Sequence, residues 1–164
     1  MDKDPSDKKH IIVALVEDKP GVLARVASLF RRRGFNIQSL AVGQSEHAQL
    51  SRMTIVAKGK LVDIEQIRKQ LDKLISVVRI TDITDKDMVA RELALIKVNA
   101  TTTTRSEIIQ IVDIFRANIV DVSINSLTVE ATGDESKLES LLDLLRRFGI
   151  KEISRTGKIA MTRQ

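Results

Sequence analysis

Apolar and polar residues alternate between two rhythms along this chain, and the order of those rhythms occurs twice. Ile11–Val16 is a continuous apolar run bounded by His10 and Glu17, the pattern of a strand buried on both faces. After the turn D-K-P-G at 18–21, Val22, Val26, Leu29 and Phe30 form one helical stripe, with Leu23 and Ala27 beside it. The helix closes on Arg31, Arg32 and Arg33, and Gly34 suits a left-handed exit. Phe35–Val42 reads as a strand, Gly43–Gln49 as a polar turn holding His47, and Leu50–Ala57 as the returning hairpin strand. Asp63 can cap a second helix carrying Ile64, Ile67, Leu71 and Leu74, and Val77–Ile83 supplies a fourth strand. The order is βαββαβ.

The charged stretch D-I-T-D-K-D at 82–87 suits a linker, after which the order repeats. Leu93–Asn99 is an apolar strand, and Thr104 with Glu107 matches a capping box. Ile108, Ile111, Val112 and Phe115 make the following helix face, with Asn118 as its exit. Ile119–Ile124 and Leu127–Thr132 flank a hairpin turn at Asn125 and Ser126. Asp134 caps a helix with Leu138, Leu141, Leu142, Leu145 and Phe148 at core spacing, ending at Gly149 much as the first ends at Gly34. Ile150–Ser154 and Ile159–Met161 carry the last strand material. The fold expected is α+β, two consecutive ferredoxin-like βαββαβ domains. Their bounds are a polar tail over 1–9, a first domain over 10–82, a linker over 83–88 and a second domain over 89–164. Each sheet has one face under its helices, so the other face is polar or covered by a second copy or a partner.

Composition narrows the chemistry. Across 164 residues there is no cysteine, which excludes disulfides and thiolate sites, and aromatics are 2%, so the cores are built from Ile, Val and Leu. The N-terminus does not resemble a signal peptide, and no apolar run approaches membrane-spanning length. A cytoplasmic protein with no membrane role is expected. The net charge of +5 resides in the first half, where residues 10–81 carry twelve Lys/Arg against six Asp/Glu. Without aromatic stacking platforms, that excess points away from nucleic acid and toward solvation or an acidic protein partner.

Candidate catalysts are few. His10 and His47 lie far apart on the repeat map, and neither has an acid at metal-ligand spacing. No phosphate-binding glycine motif follows a strand, and the threonines at 101–104 read as a loop ending in a helix cap. Catalytic residues and metal ligands are therefore expected to be none, and the chain is expected not to be an enzyme by itself. The helix start after Pro20 and Gly21 is different, since its unpaired N–H groups and dipole suit a carboxylate. The N–H groups of Gly21, Val22 and Leu23 are the donors there. Asp18 can bind an ammonium or cap the helix. Asn36 can meet a zwitterion or serve as a turn residue after Gly34.

At the D-K-P-G turn the first half resembles an ACT domain, the small-molecule sensor of amino-acid biosynthetic enzymes. R-G-F-N-I-Q-S-L at 33–40 and S-R-M-T-I at 51–55 resemble signature stretches of the regulatory (small) subunit of acetolactate synthase. R-E-L-A-L-I-K-V at 91–98 and I-F-R-A-N-I-V-D-V at 114–122 resemble that family's C-terminal domain. The resemblance implies a non-catalytic homodimer, paired through its ACT domains, that activates a large catalytic subunit and confers feedback inhibition by valine or another branched-chain amino acid. It implies no cofactor on this chain, and thiamine diphosphate, Mg and FAD on the large subunit. It carries effector binding onto Asp18, Gly21, Val22 and Leu23, with Asn36 and Ile37 from the neighbouring protomer. Position 18, often Asn in this family, is Asp here. A transcription regulator built on the same sensor domain is the alternative, although it needs a DNA-binding element and no helix-turn-helix pattern precedes residue 10.

Overall fold

In the computed structural model, which describes residues 8–163, alternation within the strands decides which side chains build each core. The strand β1 (Lys9–Glu17) buries Ile12, Ala14 and Val16 completely or nearly so, while Ile11, Val13 and Leu15 on its other face stay half-buried. The expectation of burial on both faces is thereby corrected. β1 is the inner strand of a sheet with helices on one side only, so period 2 governs it despite its unbroken apolar sequence.

Around β1 the first unit takes shape. Helix α1 (Val22–Arg32) drives Val22, Val26 and Phe30 onto the β1 face, and Gly34 leaves the helix at φ 71° as expected. Strands β2 (Asn36–Gln44) and β3 (Leu50–Lys58) form the hairpin. Helix α2 (Leu61–Leu71) adds Ile64, Ile67 and Leu71 to the same core, and β4 (Val77–Asp82) closes the sheet. The strand order is β2-β3-β1-β4, antiparallel throughout. Asp63 does not cap α2. The cap position is Lys60, without a side-chain hydrogen bond, and Asp63 lies in the first turn, where a negative charge still favours the dipole.

The stretch read as a linker is anchored to the first unit. Ile83 is buried and donates its N–H to Ile11 O at 2.9 Å. The Ile11 N–H donates to Thr84 Oγ1 at 3.0 Å, and Thr84 donates its own N–H and hydroxyl to Asp82.

The second unit repeats the plan with β5 (Met88–Asn99), α3 (Arg105–Ile114), β6 (Asn118–Ser123), β7 (Ser126–Gly133), α4 (Glu135–Arg146) and β8 (Ile150–Arg155). Its strands run β6-β7-β5-β8, the same permutation as the first sheet. The core joins Ala94, Ile96 and Val98 to Ile108, Val112, Leu138, Leu141 and Leu145. Asp134 caps α4 as expected, its Oδ1 accepting from Lys137 N at 2.8 Å. The capping box at α3 does not form. Thr104 Oγ1 instead accepts from Thr101 N at 2.9 Å, and Glu107 pairs with Arg147 at 2.5 Å. The left-handed exit from α3 is Arg116, at φ 51°, while Asn118 already begins β6.

Two ferredoxin-like βαββαβ units therefore follow one another. By their internal packing, one extends to Val89 and also takes in the chain from Lys158, and the other is Ala90–Gly157. The last strand, β9 (Ile159–Thr162), hydrogen-bonds to β5, as its place in the second repeat predicts, while the chain from Lys158 packs with the first unit. Arg163 fixes that end there, donating its N–H to Asp87 O at 2.9 Å and facing the Asp87 carboxylate at 3.4 Å. The polar tail expected at 1–9 falls outside the described residues except for Lys8 and Lys9. Among the described residues no helix is long and apolar enough to cross a membrane.

Candidate functional site

Where β1 gives way to α1, the backbone leaves donors unpaired. Gly21 sits at φ 83°, ψ −9°, a conformation that glycine adopts freely and an L side chain resists. It occupies the helix cap position, where it contributes no side-chain hydrogen bond. The Val22 N–H makes a long 3.4 Å bond to Lys19 O, and the N–H groups of Gly21 and Leu23 have no acceptor among the described residues. No acidic residue occupies the first turn, so the positive end of the dipole is uncompensated. A Cβ at Gly21 would meet nothing within 4 Å, so the chain does not crowd the turn at that position.

Asp18 stands three residues earlier on the exposed side of the turn. Its backbone N–H donates to Gln49 O at 2.8 Å, which ties the turn to the end of the β2–β3 hairpin. Its carboxylate makes no cap with α1 and no ion pair among the described residues. Of its two sequence readings, capping is excluded, and a free carboxylate remains beside a free set of N–H donors. Val22 is 3% exposed and belongs to the core, whereas Leu23, at 44%, offers apolar surface next to those donors.

Asn36 and Ile37 lie elsewhere. Asn36 is the exposed first residue of β2, paired with Lys58, and Ile37 is half-buried opposite Ala57 and packs on the core. Glu17, at the turn, pairs with Leu50. Leu50 and Lys58 are the two ends of β3, about 27 Å apart at the usual strand rise. One chain therefore brings Asp18, Gly21, Val22 and Leu23 together and leaves Asn36 and Ile37 at the far end of the same sheet.

The remaining candidates are accounted for by packing. His10 is fully buried, with Nε2 3.1 Å from Gly59 O and Nδ1 4.0 Å from Asp82. His47 is exposed in the hairpin, 3.8 Å from Glu46. Thr101, Thr103 and Thr104 bond one another, as a self-satisfied loop does. No group of three or more His, Asp or Glu among the described residues is placed to hold a metal ion.

Two groups escaped the sequence reading. Gln49 adopts φ 67°, and nothing in a glutamine signals a left-handed backbone. Arg52 and Glu46 pair across the hairpin at 2.7 and 2.9 Å, a contact that depends on hairpin geometry. A hydrogen bond from its own backbone, followed by that guanidinium, holds the Glu46 carboxyl below the usual range.

Comparison with known proteins places the chain in a family. Residues 12–79 match the acetolactate synthase small-subunit-like ACT domain, and residues 91–164 match the family described as the small subunit of acetolactate synthase. A probable acetolactate synthase small subunit of Archaeoglobus fulgidus is 57% identical over 155 residues, covering 94% of this chain and 97% of that protein. The acetolactate synthase small subunit of Mycobacterium bovis is also 57% identical, over 96% of this chain and 94% of its own length. The crystal structure of an acetolactate synthase small subunit from Thermotoga maritima superposes with a TM-score of 0.87 at 46% identity, covering 96% of this chain and 98% of that one. With both halves matched in order and the fold shared nearly end to end, this chain belongs to the acetolactate synthase small-subunit family.

Proposed function

We propose that this chain is the non-catalytic regulatory subunit of an acetolactate synthase. On this reading it binds the large, thiamine-diphosphate-dependent subunit, raises its turnover and makes it sensitive to valine. The observation that carries the proposal is the 57% identity across 94% of the chain to a probable small subunit. Thiamine diphosphate, Mg and FAD belong, on this reading, to the large subunit.

The geometry supports an amino-acid effector at the β1–α1 turn. The N–H groups of Gly21, Val22 and Leu23 would hold its carboxylate, and the Asp18 carboxylate would meet its ammonium. Leu23 would line the pocket for a branched side chain. Asn36 and Ile37, remote within one chain, would reach the effector only from a second copy, so the proposed site lies between two ACT domains of a homodimer. Valine would then favour one arrangement of the dimer by its differential affinity, typically about 1–3 kcal/mol of coupling, and the large subunit would sense that arrangement.

Mixing the purified chain with its large subunit and following both by size exclusion tests the assembly. A stable complex of the two, with no acetolactate formed from pyruvate by this chain alone, is expected. Separate elution at micromolar concentrations would refute the partnership.

A further inference from the structure

We propose that a second site, on the helix-free face of the first unit's sheet, binds a small aliphatic carboxylate that carries no ammonium group. A cleft of about 280 Å³ lies there, small beside typical ligand pockets. Its apolar lining comes from Val13 and Leu15 of β1, from Ile83, and from Ala160 and Met161 of β9. All of these belong to the first unit. No aromatic residue lines it, so a nucleobase or other ring has no stacking platform.

The charges of the cleft select the ligand. Leu15 pairs with Arg52 on β3 and with Arg79 on β4, so two cations flank one apolar residue across the sheet. Lys86, also lining the cleft, adds a third. The Glu46 carboxylate is the acid of the lining, and it is already taken by Arg52 at 2.7 and 2.9 Å, with His47 3.8 Å away. Arg79 and Lys86 have no anionic side chain as partner among the described residues. An incoming carboxylate thus finds an unpaired guanidinium, whose planar fork matches it, and the Lys86 ammonium contributes positive charge elsewhere on the same lining. An incoming ammonium finds no free anion. Thr81 and Thr162 also line it.

This selectivity is the reverse of that at the β1–α1 turn, where an unpaired Asp18 carboxylate suits a zwitterion. The inference stands independently of the proposed effector site, since the two share no residue.

The test is a methyl NMR titration of the full chain with three probes: 3-methylbutanoate, valine and inorganic phosphate. The expected result is saturable shifts on Val13, Leu15, Ile83 and Met161 with 3-methylbutanoate, and weaker shifts there with the other two. Arg79 and Lys86 are exposed, so the double variant R79Q/K86Q keeps the fold, which its unchanged core methyl spectrum would verify. That variant should bind 3-methylbutanoate about tenfold or more weakly, the equivalent of one lost charge-assisted contact. Absence of saturable shifts on those four residues, or equal affinity in the double variant, would overturn the proposal. Phosphate binding as tightly as 3-methylbutanoate would overturn its aliphatic selectivity.

Discussion

The backbone N–H of Asp18 donates to the carbonyl oxygen of Gln49 at 2.8 Å, and Gln49 makes that bond from a left-handed backbone at φ 67°. The turn that carries the proposed effector donors is therefore positioned by Gln49, which is not itself among the proposed effector contacts. Q49V puts a β-branched side chain where such residues resist positive φ, at a cost of about 1–2 kcal/mol. We expect lower stability in urea unfolding together with weaker valine binding by calorimetry. Q49G, which adopts the conformation freely, should retain wild-type valine affinity.

Gly21 separates backbone strain from charge. A Cβ there meets nothing, yet φ 83° strains any L side chain, so G21A and G21D should each lose about 1 kcal/mol of stability. Only G21D places a negative charge over the free N–H groups. Valine sensitivity should fall much further in G21D than in G21A, as measured by inhibition of the reconstituted enzyme. Equal losses in the two would assign the effect to strain.

Much of this organisation was legible in the sequence because it is local. The apolar stripe of Val22, Val26 and Phe30, the exit at Gly34 and the cap at Asp134 depend on neighbours within one or two turns, and each formed as expected. The misreadings share a different cause, namely competition for a side chain or a face. Thr104 has the composition of a capping box, but Thr101 N takes its hydroxyl and Arg147 takes Glu107. The run Ile11–Val16 looks doubly buried, but only one face lies under helices. At the candidate site, Asp18, Gly21 and Leu23 were legible from the turn motif. The anchor at Gln49 was not, because positive φ at glutamine is imposed by the hairpin rather than by the residue.

Complementation tests whether the site is shared between copies. D18A removes no cap, and Asn36 is exposed, so neither D18A nor N36A should unfold the chain. Each alone should blunt valine inhibition. Mixed dimers of the two contain one site with both native residues, so co-refolding the variants should restore part of the valine response. Failure of every mixture to respond would place the two residues in separate sites.

The second unit has its own point of stress. Arg155 donates to both oxygens of Glu92 at 2.9 and 2.8 Å and to Glu139 at 2.8 Å, and Glu92 is 8% exposed. Hydrogen bonding to Glu92 above all, opposed by burial, pushes the Arg155 pKa further up, so it stays charged throughout the working range. R155M strands the buried Glu92 carboxylate and should cost about 2 kcal/mol in denaturant unfolding. R155M/E92L removes the stranded charge and should recover part of that loss.

Turnover of the large subunit, measured as acetolactate formed from pyruvate with and without this chain and with and without valine, tests the account at its centre. Addition of the chain should raise turnover, and valine should lower it only when the chain is present. Unchanged turnover on addition of a stoichiometric excess, or valine inhibition of equal depth without the chain, would contradict the account.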